Sequence, residues 1–305
     1  MTSVRIPVSV ARKGPLAAKG MEEACTGSVA AVFRSTFYVE AGTGCYCVGN
    51  ADLEPSGLNL VTAAPPGTDW AASGVRCGMT VRVGAAAFEV GPVLSFSLAG
   101  AATWSPDPLP AGWTRHDLTR GLRIVRDICV SRAPSEGLGR FICPGFEPMD
   151  DDMTGVHAKT PIATARLSLR DALRMGNDEA ADWNWSHGLI GLGPGLTPSG
   201  DDFLGAVMLA LHALGRRDLG DSLRADLLPC APQATNTISL SHLRAASRGY
   251  GAAALHDALA AVVTGDESAI IDAATRLGGI GHTSGWDALA GAVCTLDAWA
   301  QARLH

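Results

Sequence analysis

The sequence predicts an α+β protein: an N-terminal β-rich, barrel- or sandwich-like part, residues 1–112, followed by a larger, mainly α-helical domain, residues 113–305, with buried central helices. Three observations carry this. Short β-rich runs punctuated by turn residues fill Ser28 to Ala101. A proline-dense stretch, "TWSPDPLPAG", follows from Thr103 to Gly112 and reads as a linker. Beyond it the apolar periodicity lengthens from two residues to that of a helix.

In the first part the runs are "SVAAVFRSTFYVEA", "GCYCVGN", "LNLVTAA", "MTVRVG", "AAFEVG" and "VLSFSLAG". Val81, Val83, Phe88 and Val90 alternate, and the glycine spacing fits a small antiparallel barrel or sandwich. In the second part "DLTRGLRIVRDICVSR" (117–132) sets Leu118, Leu122, Val125 and Cys129 on one helical face. "CPGFEPMDDDMTG" interrupts the pattern, and its aspartates at 150–152 read as a solvated turn. Helical segments are then expected over 162–175, 177–187, 201–214, 218–228, 239–248, 251–263, 267–277 and 286–303.

Composition excludes several classes. Of 305 residues 47% are hydrophobic and 18% charged, so the chain has material for a core and is not disordered. A net charge of −6 without a Lys/Arg cluster argues against nucleic-acid binding. "MTSVRIPVSVARKGPL" has no signal-peptide core, and the longest apolar run, Phe203 to Leu214, falls short of the ~20 residues a bilayer needs. No membrane association is expected, and a cytoplasmic location is. The eight cysteines form no CxxC pair and are expected to be buried free thiols.

The chemistry concentrates at two helix entrances. "GLGPGLTPSGDDFLGAVMLALHALG" (191–215) places Ser199 where an N-cap belongs, with Asp201 and Asp202 in the first turn of an apolar helix. Gly193, Gly195 and Gly200 let backbone amides approach a ligand. "GIGHTSGWDALAGAVCTLDAW", from Gly279, repeats the pattern: Ser199/Ser284, Gly200/Gly285, Asp202/Asp287 and Leu204/Leu289 align. Free amides and the positive dipole end make such entrances anion sites; the alternative is that each Ser-Gly-x-Asp merely caps its helix.

The candidate anion- or substrate-binding residues are therefore Gly193, Gly195, Thr197, Ser199, Gly200, Asp201, Thr283, Ser284 and Gly285. "TNTISLSHLRAASRGYG" (235–251) adds Thr237 and Arg244 at a further helix start. His282, Asp202 and Asp287 are the catalytic candidates, His282 as an acid and the aspartates as orienting groups. No metal ligand set is expected; Mg²⁺ at Asp201/Asp202 stays possible, because it binds through few carboxylates plus phosphate and water. The loop lacks a dinucleotide fingerprint, a Walker lysine and a GxSxG elbow.

"GLGPGLTPSGDDFLGA", "TISLSHLRAASRG" and "GHTSGWDALAGA", in that order, resemble the AllH-like family of bacterial proteins. "GSVAAVFRSTFYVE" and "FEVGPVLSFSLAGAATWSP" extend the likeness over most of the chain. The resemblance implies a subunit of oxamate carbamoyltransferase in allantoin breakdown, converting oxalurate and phosphate to oxamate and carbamoyl phosphate. FdrA-like and further subunits are the partners it implies. It carries over no catalytic residue. Two other readings stand beside it: a non-catalytic assembly or regulatory subunit of such a complex, and a stand-alone Mg²⁺-dependent hydrolase or phosphotransferase.

Overall fold

Period-two alternation in the N-terminal part closes a sheet on itself. The computed structural model describes residues 5–84, 86–175 and 181–302, and the chain divides into two compact units, 1–106 and 107–305. In the first unit the strands are β1 (Ile6–Lys13), β2 (Cys25–Val32), β3 (Thr36–Ala41), β4 (Gly44–Gly49), β5 (Asn59–Thr62), β6 (Thr80–Val83), β7 (Ala87–Val90), β8 (Leu94–Ser97) and β9 (Ala102–Thr103). A short helix α1 (Pro15–Gly20) follows β1. The strand order is β5-β4-β3-β2-β6-β7-β8-β1, and β1 pairs back onto β5 through Val10↔Thr62. That closure makes an eight-stranded barrel rather than a sandwich, with β9 added beside β1.

The barrel core is aromatic. Phe88 and Phe96 stack at 4.6 Å, and Phe37 meets Trp70 edge-on at 5.4 Å. The Trp70 indole N–H donates to the Ser35 carbonyl at 2.8 Å, so the ring is buried without an orphaned donor. The closing strand β1 is absent from the sequence reading although Ile6, Val8 and Val10 alternate; the run is short and only Val10 of "IPVSVARK" is buried. "SVAAVFRSTFYVEA", read as one run, is the β2–β3 hairpin, with Val32 opposite Phe37.

The second unit holds α2 (Arg115–Arg132), α3 (Met153–Met175), α4 (Ser199–Ala213), α5 (Arg217–Leu227), α6 (Ala231–Ala234), α7 (Thr237–Ala246), α8 (Ala253–Thr264), α9 (Glu267–Gly278) and α10 (Ser284–Ala302). α2 begins with a reciprocal capping box, Thr114 and Asp117 each satisfying the other's amide. α3 starts well before residue 162, so the "MDDDMTG" stretch is a helix entrance rather than an open turn. The expected helix over 177–187 is corrected: 181–183 are irregular and Asn184–Gly188 is a 3-10 turn, while 177–180 lie outside the described residues. Residue 303 of the last expected segment also lies outside them.

α4 and α10 are the paired central helices, and α3 packs along α10. Phe203, Leu204, Val207, Met208 and Leu211 are all sealed from water, each contributing roughly 1.5–3 kcal/mol by burial. The two axes approach at Gly291, where a Cβ would lie only 2.1 Å from the Phe203 carbonyl oxygen. This close approach brings the N-termini of α4 and α10 together. No described helix is long and apolar enough to cross a membrane.

Candidate functional site

The two entrances meet. Thr197 Oγ1, before α4, lies 2.9 Å from Ser284 Oγ, the first residue of α10. Both glycines that follow the serines are fixed by close approach to backbone. A Cβ at Gly200 would fall 1.8 Å from the Leu189 carbonyl oxygen, and one at Gly285 would fall 1.9 Å from that of Leu277. Each entrance is thus pinned under its own chain, and the serines are set facing across.

The cross-talk is reciprocal. The hydroxyls of Ser284 and Thr197 act on the carboxyl of Asp202, and those of Thr283 and Ser199 act on that of Asp287. Asp287 is fully buried, and its Oδ1 accepts the Leu138 amide. Its Oδ2 and the Oδ2 of Asp202 are inaccessible to water and have no hydrogen-bond partner. Burial, then the neighbouring Asp287 charge, pushes Asp202 well above the ordinary carboxylate value of 3.8. Burial raises Asp287 as well, aided by the charge of Asp152 and opposed by the Leu138 amide and the two hydroxyls. Two carboxyls so placed resist being ionised together.

Asp201 has a different fate from its neighbour. Buried, it accepts the Gly191 amide at 2.7 Å, the Ser239 hydroxyl at 2.7 Å and the Thr235 hydroxyl. Both oxygens are spent tying the loop and α4 to the start of α7, so Asp201 is a brace and not an anion contact. α7 is capped by Asn236, whose Oδ1 accepts from Ile238 and Ser239 and whose Nδ2 donates to the Leu196 carbonyl at 2.9 Å. Thr237 and Arg244, the residues expected to contribute there, are both exposed.

Three further expectations are corrected. Ser199 is the first helical residue and the cap position is Pro198, so the Ser199 hydroxyl is free to face Asp287. The helix-end amides are not an open cradle: Gly200 donates to Leu192, Asp201 and Asp202 to Pro198, Gly285 to Ile280 and Asp287 to Thr283. Among the described residues, the amides of Gly193, Gly195, Leu196 and Thr197 and of Thr283 and Ser284 have no acceptor within the chain. Finally, the His282 ring is 82% exposed, 3.6 Å from Glu136, and stands outside the buried carboxyl pair.

Asp152 is the residue the sequence reading missed. Its Oδ1 accepts the Gly155 amide at 3.0 Å as α3 begins, its Oδ2 is buried without a partner, and its charge is felt by Asp287. Three helix starts therefore each deliver an aspartate to this end of the bundle. Among the described residues no group of three or more His, Cys, Asp or Glu is placed to hold a metal ion. With both oxygens of Asp201 engaged, an Asp201/Asp202 magnesium site has lost one of its two ligands. Of the cysteines, Cys45, Cys47, Cys129 and Cys294 are buried, each thiol pushed up to about 12 by desolvation, whereas Cys77 and Cys230 are exposed.

The entrances, the α7 start and both buried carboxyls fall within one recognisable block. Residues 189–296 match the family model of AllH, the oxamate carbamoyltransferase subunit. The AllH match begins at the Leu189 carbonyl that seats Gly200 and runs through most of α10. Asp152 lies outside it, as does the barrel. No solved structure matches the chain.

Proposed function

We propose that this chain is a carbamoyltransferase subunit in which the α4 and α10 entrances hold a ureido compound and the Asp202/Asp287 pair moves the proton that phosphorolysis requires. The observation that supports it most is the pair itself: two buried carboxyls, each with one unpartnered oxygen, joined across the entrances by Thr197 and Ser284. Cleaving oxalurate with hydrogen phosphate needs one proton delivered to the departing nitrogen and one removed from the phosphate. A carboxyl pair that holds a single proton does both, one member as acid and the other as base. Unpartnered carboxyl oxygens also suit the NH₂ of a carbamoyl group better than they suit an anion, since among the described residues no Lys or Arg is the cause of a shift at either carboxyl. The phosphate then belongs at the amides of Gly193 to Thr197.

A partner subunit, FdrA-like in the resemblance, completes the site. Exposed Met149 and Met153 flank Asp152, and exposed Leu196 lies on the first loop, so apolar surface borders the carboxyls. The same reading keeps the protein in the cytoplasm, where its free thiols stay reduced. Co-expression with its partner subunits, followed by assay of carbamoyl phosphate from oxalurate and phosphate, tests the proposal. Asp202→Asn and Asp287→Asn are each expected to lower turnover by about 10²–10⁴-fold while the complex still assembles. Unchanged turnover in both would leave the chain an assembly subunit.

A further inference from the structure

Resting on that reading, we propose that Ser284 is a nucleophile that carries the carbamoyl group, so that transfer proceeds in two displacements through a carbamoyl-serine. Four observations converge on this hydroxyl. Ser284 is half-buried and reachable, whereas its counterpart Ser199 is only 3% exposed. Its Oγ lies 2.9 Å from Thr197 Oγ1, a hydrogen bond that orients the hydroxyl. It faces the carboxyl of Asp202, whose inaccessible Oδ2 has no hydrogen-bond partner. And Gly281, at φ 62°, keeps the approach clear, since a Cβ there would stand 3.0 Å from the Ser284 oxygen.

These are the parts of an activated serine: a base within reach, a group orienting the hydroxyl, and the amides of Thr283 and Ser284, which have no acceptor among the described residues, to serve as backbone donors. The fully buried Asp287, with its own unpartnered oxygen at the first turn of the same helix, marks the place as built for a ligand rather than for capping alone. The elevated pKa of Asp202 suits it to accept a hydroxyl proton and release it again.

The chemistry balances without a further reactant. Ser284 Oγ bonds to the carbamoyl carbon as its proton passes to Asp202. The carbon–nitrogen bond to the rest of the ureido compound breaks, its electron pair stays on nitrogen, and Asp202 returns the proton there. Hydrogen phosphate then attacks the same carbon and loses its proton to Asp202. The bond to Oγ breaks, Asp202 reprotonates the serine, and carbamoyl phosphate departs.

The test uses the whole complex with oxalurate as the probe. Without phosphate, wild type is expected to release oxamate in a burst equal to its sites and to retain a carbamoyl group on the Ser284 peptide by mass spectrometry. Phosphate discharges that group as carbamoyl phosphate, and initial-rate plots against the two substrates are parallel. Ser284→Ala lowers turnover on the order of 10³-fold. Intersecting plots with no burst, or a Ser284→Ala complex that turns over at the wild-type rate, overturn the nucleophile while leaving the carbamoyltransferase reading intact. A wild-type complex that transfers no carbamoyl group from oxalurate sinks both. The burst and the adduct are read on wild type, so a poorly folded variant does not decide the matter.

Discussion

Thr197 and Ser284 are 87 positions apart in the sequence, yet their hydroxyls share a 2.9 Å hydrogen bond at the joined N-termini of α4 and α10. That bond is the seam of the site. It places the serine of one helix against the aspartate of the other, and the same exchange runs in reverse between Ser199 and Asp287.

The brace beneath the seam is Asp201. Three donors converge on its buried carboxylate, so Asp201→Ala strands all three at once. The expected loss is about 3–5 kcal/mol in urea unfolding, since removing one side of a buried charged network exposes the full desolvation cost of the rest. Ser239→Ala, which removes a single donor, is expected to lose only about 1–2 kcal/mol. Equal losses from the two variants would show that Asp201 does not bear the network.

The glycines of the entrances divide into two kinds. Gly200→Ala places a methyl 1.8 Å from a carbonyl oxygen and forces α4 off its seat. Gly195→Ala meets no atom within 4 Å, and its cost is the left-handed backbone alone, at φ 95°. Thermal unfolding is expected to show Gly200→Ala losing about 3 kcal/mol or more and Gly195→Ala about 1 kcal/mol. A reversed order would contradict the packing described for the entrance.

Much of this was legible from sequence because it is local. The apolar run of α4, the shared Ser-Gly-x-Asp and the strand alternation from β2 to β8 each write their structure into neighbouring residues. What escaped was long-range. Asp201 and Asp202 are adjacent and chemically identical, and only the arrival of Thr235 and Ser239 on one and Ser284 on the other makes the first a brace and the second half of an acid pair. Asp152 looked solvated within "MDDDM" because nothing nearby shows that α3 starts there and packs along α10. His282 differs in the opposite sense: it stands within "GHTSGWD" beside the buried groups, but its ring points out to solvent.

That exposure makes His282 a useful control. Since the ring is 82% exposed and its ion-pair partner among the described residues is Glu136, His282→Gln is expected to keep turnover of the reconstituted complex within about 3-fold of wild type, far from the loss a general acid would produce. A 10²-fold loss would restore the histidine to the chemistry.

The carboxyl pair also leaves a mark on stability against pH. Asp202 has a folded pKa raised above 3.8 by burial and by the Asp287 charge. Between that ordinary value and the raised one the folded state binds more protons than the unfolded state, so stability falls as pH rises through this window. Asp202→Asn removes this group's titration, and its stability is expected to decline less steeply than that of wild type across the window, Asp287 still contributing, leaving the variant the more stable of the two at neutral pH and less active. Asp152→Asn acts one step away: without that charge Asp287 ionises more easily, and its carboxyl carbon should titrate at lower pH by NMR. If wild type instead gains stability across the window, or Asp287 titrates unchanged when Asp152 is neutralised, the carboxyls are not coupled through a shared buried site and the proton has another route.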